Sequence, residues 1–81
     1  MNLKDTVEMM LSDDYKERFK GEYYQLKIRH DKLCNLIEQY ELGKLNFELS
    51  CPIELLIRQL CMMRMYKISL EVRAEIENII L

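Results

Sequence analysis

Lys16, Lys20, Tyr24 and Lys27 stand at spacings i, i+4, i+8 and i+11, which puts three cations and an aromatic ring on one stripe of a helix. Arg18, Arg29 and Lys32 occupy the adjoining face. A tyrosine between cations suits stacking on an adenine-like base while lysine or arginine grips phosphate oxygens. Nearer the C-terminus, Arg58, Arg64 and Arg73 interrupt a very apolar segment. Arginine near an interface forks onto phosphate or carboxylate, so such residues from two subunits would form a symmetric anion pocket; the alternative is a salt bridge to Glu71 or Glu75 of a neighbour. The candidate ligand-binding residues are therefore Lys20, Tyr24, Lys27, Arg29 and Arg64, with Tyr23 and His30 as polar contacts at a pocket wall. The competing reading is a solvated face whose Lys and Arg stems cover apolar surface.

Bond-making chemistry finds less support. His30 is the single histidine and lies on an apolar seam, where an imidazole hydrogen-bonded inside a bundle is expected rather than a general base or metal ligand. Cys34 follows one turn later, and a thiol beside the seam reads as packing rather than half of a Cys-His pair. Glu71, Glu75 and Glu77 mingle with Arg64, Lys67 and Arg73 at the spacings of a solvated helix face, as do Glu17, Glu22, Asp31 and Glu38 elsewhere. Cys34, Cys51 and Cys61 form neither a close pair nor a cluster with histidine, so no disulfide framework, zinc site or other cofactor is expected. This is the pattern of a protein that binds without turnover, not of an enzyme.

Charge narrows the partners. Twelve Lys and Arg against 14 Asp and Glu leave a formal charge of −2, which gives no general attraction to nucleic acid or to an anionic membrane. No run of about 18 apolar residues suggests a membrane span. The N-terminus, with Lys4, Asp5 and Glu8 among its hydrophobes, is unlike a signal peptide, so a cytoplasmic location is expected.

The elements that must position these residues are helical. Two glycines and one proline in 81 residues leave little room for irregular structure, and the length suits one domain of the size that often recruits a partner subunit. Asn2 can cap a short helix over about 3–11, and Ser12, followed by Asp13 and Asp14, can cap a long one over about 13–42. Along it Tyr15, Phe19, Tyr23, Leu26, His30, Leu33, Ile37 and Tyr40 recur at spacings of three and four, the seam of an antiparallel hairpin. Gly43 ends that helix in the left-handed conformation, and residues 43–51 connect it to a last helix over about 52–78 that Pro52 opens.

That last helix is apolar on two opposite sides. Leu56, Leu60, Met63, Leu70 and Ala74 form one stripe; Cys61, Met65, Ile68, Val72, Ile76 and Ile79 form the other. One neighbouring helix covers one side only, so the second stripe is expected to meet another copy of the chain. The predicted architecture is all-α: a short N-terminal helix and a long antiparallel helical hairpin that assembles into a homo-oligomeric bundle.

The segments Asp14-Tyr15-Lys16-Glu17-Arg18-Phe19-Lys20, Glu22-Tyr23-Tyr24-Gln25-Leu26-Lys27 and Leu70-Glu71-Val72-Arg73-Ala74-Glu75-Ile76-Glu77, with the Cys51-Pro52 start of the last helix, resemble a family of small helical proteins of crAss-like phages and of gut-bacterial phages and prophages. The resemblance spans about residues 13–81. It implies a phage-encoded protein with two long helices, acting in the cytoplasm of a host bacterial cell, and it carries over no catalytic residues. Small helical phage proteins of this size include oligomeric sponges for nucleotide-derived immune signals. By that analogy the expected function is anti-defence sequestration of a cyclic nucleotide or an ADP-ribose derivative in pockets between subunits. The alternative is a helical module that binds a host or phage protein.

Overall fold

Each helix starts where a side chain or a proline deals with the amides that a helix leaves unbonded. The computed structural model describes residues 1–81, folded as α1 (Leu3–Met10), α2 (Tyr15–Glu41) and α3 (Ile53–Ile76), with no strand. At α1, Asn2 Oδ1 accepts from the Asp5 amide at 3.1 Å while Asp5 Oδ2 accepts from the Asn2 amide at 2.9 Å, a reciprocal capping box. Asp14, rather than Ser12, caps α2. Its Oδ1 accepts from the Lys16 amide at 3.1 Å, and the Ser12 hydroxyl accepts from the Asp14 amide at 3.1 Å, which makes Ser12 part of the turn from α1. Pro52, at φ −60°, stands immediately before α3, where its missing amide costs nothing.

Both long helices end in the same device. Gly43, at φ 69°, follows α2, and the Lys44 amide donates back to the Gln39 carbonyl at 2.9 Å. Asn78, at φ 59°, follows α3, and the Ile79 amide donates to the Ala74 carbonyl at 2.8 Å. This reversal turns Ile79 inward, where it is buried. The periodicity assigns Ile79 to the outer stripe, but that phase requires a helix through Asn78, and α3 stops at Ile76.

α2 packs between α1 and α3, and α1 does not reach α3. Tyr15 bonds to Glu77 and Tyr23 to Glu71, so the start of α2 meets the end of α3 and the hairpin is antiparallel. Phe19, Tyr23, Leu26, His30 and Ile37 are buried on the α2 seam; Leu60, Leu70 and Ala74 are buried on α3. The ends of the predicted seam, Tyr15 and Tyr40, are exposed. In the connection Leu45 and Leu49 are half-buried and Phe47 is exposed. The far face of α3 carries Met65 at 70%, Ile68 at 50%, Val72 at 50% and Ile76 at 76% exposure, with Cys61 exposed beside them. No helix is long and apolar enough to cross a membrane.

α1 crosses α2 at Gly21. A methyl group there would stand 2.7 Å from the Met10 amide nitrogen, 2.8 Å from Met10 Cγ and 2.9 Å from Met9 Cβ. A backbone nitrogen cannot swing aside as a side-chain tip can, so α1 has to move. Gly21→Ala gains roughly 1 kcal/mol of helix propensity against an overpacking cost of about 1–3 kcal/mol, placed near its upper end by three contacts at once. The expected outcome is a net loss of about 1–2 kcal/mol in denaturant unfolding, with amide protection lost in α1 and kept in the α2–α3 hairpin. Unchanged protection in α1 would count against this crossing.

Candidate functional site

The sequence candidates on α2 are mostly engaged within the chain. Lys20 Nζ donates to Glu17 Oε1 at 3.4 Å, and Lys27 Nζ donates to Asp31 Oδ2 at 3.1 Å. Arg29 Nη2 donates to Gln25 Oε1 at 3.2 Å and has no carboxylate partner. The Tyr23 side chain is buried and its hydroxyl donates to Glu71 Oε2 at 2.5 Å. Burial first, and then that carboxylate, raises the phenol well above its ordinary pKa, so it stays a donor throughout the accessible range. Tyr24 is half-buried, edge-on to the Tyr23 ring with centroids 5.2 Å apart and planes at 78°.

His30 is 6% exposed, with Nδ1 3.0 Å from Asp31 Oδ1. An ionised carboxylate only accepts, so Nδ1 donates, and Nε2 is buried without a partner. The His30 bond, ahead of the one from Lys27, holds the Asp31 carboxyl below its ordinary pKa against a smaller opposing effect of burial. Arg64 is exposed and its side chain forms no hydrogen bond or ion pair.

Arg73 is consumed at the end of the hairpin. Its Nε donates to Glu77 Oε2 at 3.0 Å, its Nη2 to the Tyr15 hydroxyl at 2.9 Å, and its guanidinium stands 5.0 Å from the Phe19 ring centroid. The Tyr15 hydroxyl in turn donates to Glu77 Oε1 at 2.6 Å. That bond first, then the one from Arg73, lowers the Glu77 carboxyl's pKa. These groups tie the ends of α2 and α3 together and occupy Arg73 Nε and Nη2, leaving Nη1 as its one nitrogen without a partner.

Two recesses remain. One, of about 440 Å³, lies at the connection among Tyr40, Leu45, Phe47, Leu49 and Pro52, and its only charged lining residue is Glu48, the wrong sign for phosphate. The other, of about 380 Å³, is a groove between α2 and α3 lined by Leu26, Arg29, Leu55, Arg58, Gln59, Met62, Met63 and Tyr66. Its lining includes two arginines from different helices, a tyrosine, a glutamine and an apolar floor, and no acidic residue. Arg58 forms no ion pair within the chain. Of the sequence candidates, Arg29 alone lines the groove; Lys20, Tyr23, Tyr24, Lys27, His30 and Arg64 do not. Tyr66 and Met62 escape a reading of charge stripes, though Arg58, Met62 and Tyr66 at i, i+4 and i+8 share one helix face. No group of three or more His, Cys, Asp or Glu side chains stands close enough to hold a metal ion, and all three cysteines are free.

A family model described as Sequestin matches residues 13–76, both long helices without α1. No curated protein and no solved structure matches the chain.

Proposed function

The chain belongs to the Sequestin family, and from that premise we propose that it is a phage anti-defence protein that sequesters a small nucleotide-derived host immune signal, without turnover, in pockets between subunits in the bacterial cytoplasm. The family's name speaks of holding a molecule rather than converting one. The observation that carries the proposal is the groove between α2 and α3, where Arg29 and Arg58 face an apolar floor with no competing carboxylate. A ring system lies against Tyr66 and the methionines while the guanidiniums fork onto phosphate oxygens.

Lys20, Lys27 and Tyr24 form a second set on the outer stripe of α2, where each lysine exchanges a carboxylate for a phosphate and so gains less. Arg64 is exposed and unpaired within the chain, so at an edge between subunits it is open to a phosphate or to a carboxylate of the second subunit. Tyr23 and His30 contribute from behind as walls of the bundle.

The exposed face of α3 supplies the reason for assembly. Burying one such side chain completely is worth about 1.5–3 kcal/mol. Met65, Ile68, Val72 and Ile76 retain half or more of their surface, so together they offer roughly 4–8 kcal/mol gross per subunit. Two subunits bring about 8–16 kcal/mol against an association cost of about 4–15 kcal/mol. The same face would suit a host protein, which is the second reading.

Mixing the purified protein with cyclic nucleotides and ADP-ribose derivatives, removing unbound ligand and then heating the complex tests the proposal. Intact ligand released on denaturation is the expected result. Degraded ligand would mean an enzyme, and no uptake, with a stoichiometric host protein in a pull-down, would favour the second reading.

A further inference from the structure

On α3, Arg64 and Glu75 are exposed, and neither side chain has a hydrogen bond or ion pair within the chain. They stand three turns apart, about 20° from each other around the axis at 3.6 residues per turn. Glu71, four residues before Glu75, falls on the same flank; its Oε2 accepts from the Tyr23 hydroxyl of α2 at 2.5 Å, which leaves Oε1 for a second partner. This flank borders the exposed stripe of Cys61, Met65, Ile68, Val72 and Ile76, which points away from α2, and α1 does not reach α3 to obstruct it. The stripe follows spacings of 4, 3, 4 and 4, the seam of a two-helix contact.

Charge decides the direction of that contact. In a parallel two-fold pair the flank carrying Arg64 meets the opposite flank of its partner, which offers Arg58, Met62 and Ser69 and no carboxylate. An antiparallel two-fold pair sets each flank against its own copy running the other way. With Met65 opposite Val72 and Cys61 opposite Ile76, Arg64 falls between Glu71 and Glu75 of the second copy. We infer that the outer face of α3 binds the same face of a second copy in this antiparallel register, with Arg64 of each chain set between Glu71 and Glu75 of the other. The pairing rests on the sequestration reading, whose missing subunit it names and orients: the groove's Met62 end adjoins the seam, facing position 75 of the second copy, so that copy borders one end of each ligand site.

Cysteine cross-linking of the full chain tests this. Cys34 and Cys51 are replaced by serine, which leaves Cys61 alone on the seam. Under mild oxidation that protein stays a single chain on a denaturing gel, because two copies of Cys61 lie far apart in the antiparallel pair. Adding Ile76→Cys produces a disulfide-linked pair, through the thiols at 61 and 76. Ile76 is exposed and Cys34 and Cys51 are half-buried, so circular dichroism of each variant checks that the fold is kept. A Cys61 to Cys61 link, a dimer in sedimentation that the Ile76→Cys variant does not trap, or a single 9.9 kDa particle at micromolar concentration would each overturn the pairing. The heat-release assay on the same samples separates the two claims. A lone chain that takes up and returns intact nucleotide refutes the pairing only, and a cross-linked pair that takes up none refutes sequestration only.

Discussion

Arg29→Gln combined with Arg58→Gln is expected to weaken binding of ADP-ribose, used as a probe in calorimetric titration, by about a hundredfold or more. A hydrogen bond to a charged group is worth about 1.5–3 kcal/mol, and each 1.4 kcal/mol is a factor of about ten, so each arginine accounts for roughly tenfold at the least. Neither substitution breaks an ion pair within the chain: Arg29 gives up a bond to the neutral Gln25, and Arg58 gives up none. The thermal midpoint should therefore hold, since surface changes of this kind stay within about 0.5 kcal/mol. Lys20→Gln with Lys27→Gln serves as the contrast. Those lysines are already neutralised by Glu17 and Asp31, so their loss should weaken binding only severalfold. The reverse ranking would move the phosphate grip from the groove to the outer stripe of α2.

That contrast also marks where the sequence is legible. Helix type, order and antiparallel pairing follow from local signals: Asn2 and Pro52 at starts, Gly43 at an end, and the three-four spacing through Phe19, Tyr23, Leu26, His30 and Ile37, all of which are buried. Ile79 escapes, because a single residue in the left-handed region at Asn78 resets the phase that periodicity carries forward. Gly21 reads as a weak helix former, and its purpose appears only when Met9 and Met10 arrive from another element.

The site is harder for the same reason. Arg29 and Arg58 are each visible as cations, yet nothing local says that they share a groove, and nothing local says that Lys20 and Lys27 spend their charge on Glu17 and Asp31. A stripe of like residues on one helix marks a face. A ligand groove needs two helices, and the register between them is set by burial of residues such as Leu26 and Leu70 rather than by the charges themselves.

Leu70→Ala and Ile76→Ala, six residues apart on α3, should separate what the chain buries alone from what it buries in company. Leu70 is 2% exposed and packs in the cluster of Phe19, Tyr23, Leu26, Ala74 and Ile79. Its truncation leaves a cavity and is expected to cost about 2–5 kcal/mol, out of roughly 4–12 kcal/mol for a chain of this length. The loss should be the same at nanomolar and at high micromolar protein, because the cavity lies inside one chain. Ile76, at 76% exposure, has little to lose in a lone chain, and its truncation should cost no more than about 0.5 kcal/mol at high dilution. At high micromolar concentration the wild type gains stability by mass action if its outer face pairs, and Ile76→Ala should forfeit much of that gain. Denaturant unfolding followed by circular dichroism at two concentrations reads both effects. A deficit for Ile76→Ala that is independent of concentration would place that side chain inside the monomer's own core, and a wild type whose midpoint ignores concentration would leave the outer face of α3 without the partner that makes its composition intelligible.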